Sequence, residues 1–233
     1  MNEGKIHILL LEDDETLGYL LSEYLKLKQF EVTWCKQVSS AREKLNHLKF
    51  QLAILDVMLP DRDGFSFAEE ISKTSPELSF LFLTARSLKT DVLKGFSIGA
   101  VDYIKKPIDE EELVARIHAI LRRNSSQHQL SEETIHKIGL YKFEPSKQEL
   151  SINGEIKSLT ARESDILSML VSNANELTSY EDIMNNIWGE DDYFSRKSLN
   201  VYISNLRKYL RKDLNMKIDN VHRKGFILKI RNR

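Results

Sequence analysis

Ile8-Leu9-Leu10-Leu11-Glu12-Asp13-Asp14 is the stretch on which the reading of this chain turns. Four consecutive aliphatic residues show neither the alternation of a half-exposed strand nor the spacing of an amphipathic helix. They suit a strand covered on both faces, as in a parallel sheet packed between helix layers. Three carboxylates follow at once, at the point where such a strand leaves the sheet. Working outward, strand-like runs recur at Phe30–Cys35, Leu52–Leu55, Phe80–Thr84 and Val101–Ile104, after a first one at Ile6–Leu11. Helical periodicity fills the intervals Glu15–Leu27, Ser39–Leu48, Phe65–Lys73, Leu88–Ile98 and Glu110–Arg122. Five repeats of strand then helix predict a doubly wound α/β fold on a five-stranded parallel sheet, with its functional crevice at the carboxyl ends of the strands.

Chemistry-bearing residues fall at those ends. Glu12, Asp13 and Asp14 follow the first strand, Asp56 the third, Thr84 ends the fourth, and Lys106-Pro107 follows the fifth. Carboxylates brought together repel, so such a cluster either raises a pKa or holds a divalent cation. Oxygen donors favour a hard ion, Mg²⁺ above all. The set suits phosphoryl transfer, which needs charge neutralisation and alignment more than covalent chemistry from the protein. A carboxylate can itself attack phosphorus, so Asp56 reads as the nucleophile. Asp13 then reads as a metal ligand and Glu12 as a second acidic group at the metal. Lys106 would pair with phosphoryl oxygens, and Thr84 would hydrogen-bond the phosphoryl group.

The runs Leu9 to Asp14, Asp56-Val57-Met58-Leu59-Pro60-Asp61-Arg62-Asp63-Gly64, Leu83-Thr84-Ala85-Arg86 and Asp102-Tyr103-Ile104-Lys105-Lys106-Pro107 resemble the signatures of bacterial response-regulator receiver domains, which are flavodoxin-like. The resemblance spans Lys5 to Arg123. It implies that a sensor histidine kinase donates phosphate to Asp56, with Mg²⁺ held by Asp13, Asp56 and the Met58 carbonyl and Glu12 holding metal-bound water. It also implies that Thr84 and Tyr103 form a switch pair, the hydroxyl moving toward phosphate and the ring turning inward. It selects Lys106 over Lys105, because the family's lysine directly precedes the proline. That proline fixes the turn, and a cis Lys106–Pro107 bond is expected there.

Beyond Arg123, Asn124-Ser125-Ser126-Gln127-His128-Gln129 is polar and aperiodic. This predicts a linker over 124–136 between a domain at 1–123 and a second at 137–233. In the second, Ile138–Phe143 and Glu149–Ile152 read as strands, with Asn153-Gly154 a hairpin turn. Thr160-Ala161-Arg162-Glu163 reads as a capping box opening a helix, and Thr178-Ser179-Tyr180-Glu181 as another, whose helix runs to Trp188 and stops at Gly189. A third helix is expected at Arg196–Arg211, then a hairpin of Lys217–Asp219 with Phe226–Ile230 around Lys224-Gly225. Together these describe an α+β winged helix.

Charge separates the halves. Residues up to His136 carry 17 Lys and Arg against 22 Asp and Glu, whereas Lys137 onward carries 17 against 13. Arg196–Arg233 alone holds 12 basic and 2 acidic residues, which implies a polyanionic partner for that end. In the third helix Leu199, Ile203, Leu206 and Leu210 should face the core. Lys197, Asn200, Ser204, Arg207, Lys208 and Arg211 should face outward, as on a major-groove recognition helix for double-stranded DNA. Arg223 and Lys224 would belong to the wing. Residues Ile138 to Ile230 resemble the effector domain of the OmpR/PhoB subfamily, through Leu159 to Glu163, Ile187-Trp188-Gly189, Val201 to Lys208 and Gly225-Phe226. Core packing is the expected role of Trp188.

Two departures stand out. The family wing reads Val-Arg-Gly-x-Gly-Tyr, whereas Val221-His222-Arg223-Lys224-Gly225-Phe226 replaces the first glycine with Arg223. The subfamily's phosphorylated homodimer uses charge pairs, of which Asp102 and Arg116 keep one. Val92, Val101 and His118 stand at other such positions, so Glu112 and His118 lack opposite charges; an apolar Val92/Val101 contact is one substitute, and a dimer that is weaker, independent of phosphate or differently arranged is left open. An enzyme of the haloacid-dehalogenase type would need an aspartate at Met58 for proton transfer, so catalysis is expected to end at self-phosphorylation and slow dephosphorylation of Asp56. A signalling adaptor is a second rival, to be separated by selective, salt-dependent duplex binding, and a phosphate-independent DNA binder a third, against which the intact Glu12, Asp13, Asp56, Thr84 and Lys106 set argues. The single cysteine, Cys35, suits a reducing compartment, and no apolar run nears the ~20 residues of a membrane span. The cytoplasm is the expected location, with RNA polymerase a further candidate partner.

Overall fold

A computed structural model describes residues 5–130, 135–187 and 193–231, and the side chains of all of these except 123–130 and 193–197. The chain divides between Asn124 and Ser125 into two compact units.

In the first unit β1 (His7–Leu11), β2 (Glu31–Cys35), β3 (Leu52–Leu55), β4 (Ser79–Thr84) and β5 (Asp102–Lys105) form one sheet in the order β2-β1-β3-β4-β5. All its neighbours run parallel. The helices α1 (Glu15–Leu27), α2 (Val38–His47), α3 (Gly64–Thr74), α4 (Lys89–Ile98) and α5 (Glu110–Leu130) alternate with the strands. The twofold period of a strand sends successive aliphatic residues to opposite layers. Ile8, Leu10, Leu52, Ile54, Leu81 and Leu83 pack with Leu21 and Leu25 of α1 and Leu113 and Ile117 of α5. Leu9, Leu11, Ala53, Leu55, Phe80 and Phe82 pack with Val38 and Ala41 of α2 and Phe65, Ala68 and Ile71 of α3. Both faces are therefore buried, which is why these strands read as unbroken apolar runs.

The second unit opens with an antiparallel four-stranded sheet, β6 (His136–Ile138), β7 (Tyr141–Glu144), β8 (Glu149–Ile152) and β9 (Glu155–Ser158), in sequence order. Helices α6 (Ala161–Ser172), α7 (Tyr180–Ile187) and α8 (Tyr193–Leu210) follow. The short β10 (Thr178–Ser179) joins the closing hairpin β11 (Met216–Val221) and β12 (Gly225–Ile230) in the order β10-β12-β11. Leu199, Tyr202, Ile203, Leu206 and Leu210 of α8 are buried.

Three expectations need correction. Helix α5 continues through Asn124 to Leu130 instead of giving way to a linker, because the polar residues there, though aperiodic, include no proline or glycine to end it. The expected strand Ile138–Phe143 is two strands, divided at Gly139, which adopts a left-handed φ of 59°. The box at Thr160 forms both reciprocal bonds, Glu163 N to Thr160 Oγ1 and Thr160 N to Glu163 Oε2. The second box is displaced by one residue: Thr178 is in β10, and Ser179 Oγ accepts from Asp182 N at 3.0 Å. Trp188 and Gly189 lie outside the described residues.

Candidate functional site

The carboxyl ends of β1, β3 and β5 deliver Glu12, Asp13, Asp56 and Lys106 to one place. Carboxylate oxygens of Glu12, Asp13 and Asp56 lie within 4.8 Å of one another. The Lys106 ammonium stands between two of them, 2.5 Å from Glu12 Oε2 and 2.5 Å from Asp56 Oδ2. Asp56 Oδ1 accepts from Met58 N at 3.0 Å, which fixes the carboxylate on its own loop. Burial lifts the Glu12 carboxyl above its ordinary pKa, and Lys106 offsets this only in part. Burial alone would lower the Lys106 pKa, but hydrogen bonds to Asp56 and Glu12 leave it raised. Three carboxylates against one ammonium leave the pocket anionic. All-oxygen donors this close together fit a hard divalent cation better than a soft one. The Lys106–Pro107 bond is cis.

Thr84, fully buried at the end of β4, accepts from Arg86 N through Oγ1 at 3.3 Å. Tyr103 of β5 donates its hydroxyl to Arg86 O at 2.9 Å. The two residues of the expected switch thus meet opposite sides of the same loop residue. Burial, and then the charge of Asp91, push the Tyr103 phenol well above its ordinary pKa. The Arg86 side chain pairs with buried Asp91 of α4 at 2.6 Å and lies over the Phe65 ring. Neither Arg86's backbone role nor Asp91 was visible as a site in the sequence. An acidic residue in the first turn of a helix is an ordinary feature.

On the expected dimer face, Asp102 and Arg116 pair within the chain at 3.1 Å, and Glu112 joins Arg116 at 2.8 Å. Glu112 therefore has a partner on its own helix. Val92 and Val101 are 7% and 3% exposed, which leaves little side-chain surface for an apolar contact between subunits. The His118 ring lies tilted against Phe30, 5.2 Å between ring centroids.

On α8, Asn200, Ser204, Arg207, Lys208 and Arg211 are all exposed. The side chain of Lys197 lies outside the described residues. Arg207 is already partly used, since its Nε donates to Ile218 O at 2.9 Å and ties α8 to β11. Arg223 and Lys224 are exposed in the turn between β11 and β12. The hairpin closes despite the missing glycine because Arg223 itself takes a left-handed φ of 59°. Lys224 O accepts from Tyr180 N at 2.9 Å, which seats the turn on the start of α7.

Residues 8–118 match the response regulator receiver domain and residues 154–228 the C-terminal domain of transcriptional regulatory proteins. The transcriptional regulatory protein RprY of Bacteroides fragilis is 42% identical over 226 residues, which cover 97% of this chain and 95% of that protein. The response regulator SaeR of Staphylococcus aureus is 28% identical, over 89% of this chain and 90% of that one. Among solved structures, a RitR mutant aligns with a TM-score of 0.75 at 27% identity, over 97% of this chain and 99% of that one. DrrB, an OmpR/PhoB homologue from Thermotoga maritima, aligns with a TM-score of 0.50 at 28% identity over the same shares. The paired domains and full-length similarity imply a histidine kinase and DNA as partners. This chain belongs to the two-component response regulators of the OmpR/PhoB subfamily, DNA-binding proteins that control transcription.

Proposed function

We propose that Asp56 is the phosphoacceptor, and that its phosphorylation by a histidine kinase governs dimerisation and promoter binding. The observation that carries this reading is the Lys106 ammonium 2.5 Å from Asp56, beside Glu12 and Asp13 at one sheet edge. An Asp56 carboxylate oxygen attacks phosphorus; the P–N bond of phosphohistidine breaks, and its electron pair leaves with the imidazole. From acetyl phosphate a P–O bond breaks instead and acetate departs. Asp13, Asp56 and the Met58 carbonyl, with Glu12 beside them, would hold Mg²⁺, which when bound neutralises charge on the phosphoryl oxygens. Lys106 then exchanges Asp56 for a phosphoryl oxygen.

Thr84 Oγ1 donates to the new phosphoryl group and so shifts relative to Arg86 N, its present partner. Because Tyr103 holds the carbonyl of the same residue, loop and ring move together, and phosphate biases an existing equilibrium. Dimerisation through Asp102 and Arg116 exchanges a pair within the chain for one between chains. Exposed ion pairs contribute only ~0–1 kcal/mol each, so this exchange is close to neutral and the dimer weak. Two winged helices then meet adjacent half-sites, with α8 in the major groove, Arg223 and Lys224 on the flanking backbone or minor groove, and RNA polymerase as a further partner in the cytoplasm. Neither Met58 nor Arg86, paired with Asp91, positions water for hydrolysis, so the aspartyl phosphate should persist. Intact-mass measurement with acetyl phosphate and Mg²⁺ should show one phosphoryl group on the wild type and none on Asp56→Asn. Equal labelling of both would reject Asp56 as acceptor.

A further inference from the structure

We infer that Trp34 is a positioning residue for the metal pocket, acting on the β1–α1 turn through the backbone of Glu12. The reading rests on the proposal that Glu12, Asp13 and Asp56 hold Mg²⁺. Trp34 is on β2, next to β1 in the sheet, and contributes no atom to the pocket. Its indole Nε1–H donates to the carbonyl oxygen of Glu12 at 2.8 Å. The amide of the same residue donates to Cys35 O at 3.0 Å. Glu12 is thus held on both sides of its backbone by consecutive residues of β2. Two residues further on, Asp14 caps α1, its Oδ1 accepting from Leu17 N at 2.9 Å. Asp13, the exposed member of the acidic trio, is carried between these two fixed points.

The ring's place is built into its surroundings. A Cβ at Gly18 of α1 would fall 2.3 Å from Trp34 Cε2 and 2.5 Å from Nε1, so only glycine lets the indole reach Glu12. On the solvent side Lys36 Nζ stands 5.3 Å from the indole centroid and pairs with Glu15 of α1 at 2.7 Å. The indole is therefore bordered by α1 through Gly18 and by a Lys36–Glu15 bridge. Groups that orient a metal's ligands without touching the metal typically govern affinity by about 10–100-fold when lost. A backbone hydrogen bond next to one ligand belongs at the lower end of that range.

The test is Mn²⁺ binding, used as a probe for Mg²⁺ and followed by the electron paramagnetic resonance signal of free Mn²⁺, on the full chain and three variants. Trp34→Phe keeps an aromatic ring, smaller than the indole, and removes the N–H. Gly18→Ala keeps the indole and displaces it. Asp13→Asn reports on the site itself. Thermal midpoints are recorded alongside. We expect one site in the wild type, lost in Asp13→Asn and weakened about tenfold in Trp34→Phe and in Gly18→Ala, with the Trp34→Phe midpoint within a few degrees of wild type. If Asp13→Asn binds Mn²⁺ as the wild type does, the metal reading fails and the role of Trp34 fails with it. If Asp13→Asn loses the ion while Trp34→Phe binds with unchanged affinity, the metal reading stands and Trp34 is only a packing residue. If Trp34→Phe does not fold, wild-type affinity in Gly18→Ala overturns the proposal on its own.

Discussion

Arg223 shows how one residue can carry both strain and function. A non-glycine residue at positive φ costs roughly 1–2 kcal/mol, and Arg223 holds φ 59° at an exposed turn where the wing pattern that this stretch resembles has glycine. Arg223→Gly should leave stability unchanged or raise it by up to about 1 kcal/mol, because glycine's greater freedom in the unfolded chain offsets part of the relief. Urea unfolding checks this. The same variant should bind duplex DNA more weakly, with the slope of log K against log salt reduced by about 0.9 if Arg223 meets a phosphate. Glu70 gives a pH-dependent case. The Arg42 guanidinium, helped by Arg62, holds its carboxyl below the ordinary range. A depressed carboxylate pKa contributes stability above its unfolded value and loses it as pH falls through the folded value. The stability difference between wild type and Arg42→Met should therefore be small, present at neutral pH, and vanish in acid below the ordinary glutamate range. At this scale Asp56, Glu12 and Lys106 were legible because each follows a strand of one parallel sheet. Trp34 was not, because its bond to Glu12 depends on the register of β2 against β1.

Among elements, the α4–β5 contact is the one on which signalling should depend. Gly95 of α4 lies against Tyr103 of β5: a Cβ there would fall 2.7 Å from Tyr103 Cδ2 and 3.0 Å from Phe82 Cδ2. Phe82 is in the buried core, so the phenol ring is the group that gives way. Gly95→Ala should turn Tyr103 outward and break its bond to Arg86 O, seen as increased exposure of the tyrosine by ¹⁹F-tyrosine NMR. Phosphorylation at Asp56 should persist in that variant while phosphate-dependent dimerisation falls severalfold; unchanged dimerisation would separate Tyr103 from the output. Apart from the C-terminal end of α5, strands and helices of the first unit were readable to within about a residue or two, as expected where period and capping agree. The misread elements had local signals pointing elsewhere. The polar stretch after Arg123 lacks a helical stripe yet continues α5, and the threonine that headed an apparent capping box pairs instead with Phe226 in a strand.

For the molecule as a whole, phosphate-driven pairing must compete with the engagement of Arg116 by Asp102 and Glu112 within its own chain. Light scattering with Mg²⁺ and acetyl phosphate should show a weak, concentration-dependent rise from monomer toward dimer in the wild type and none in Asp56→Asn. A constant mass despite confirmed phosphate on Asp56 would mean that DNA binding is controlled without dimerisation. The sequence by itself determined the two-domain plan, the doubly wound sheet, the winged helix and the meeting of Glu12, Asp56 and Lys106. Those depend on periodicity and on the rule that parallel strands end at one edge, both of which are local or topological. Tertiary structure alone decided that Val92 and Val101 face the interior, that Asp102 and Arg116 pair within the chain, that Arg207 is tied to Ile218, and that Trp34 and Arg86 join strands and loops distant in sequence. Those outcomes depend on which way side chains point once helices pack on the sheet, and a residue's type and spacing do not carry that information.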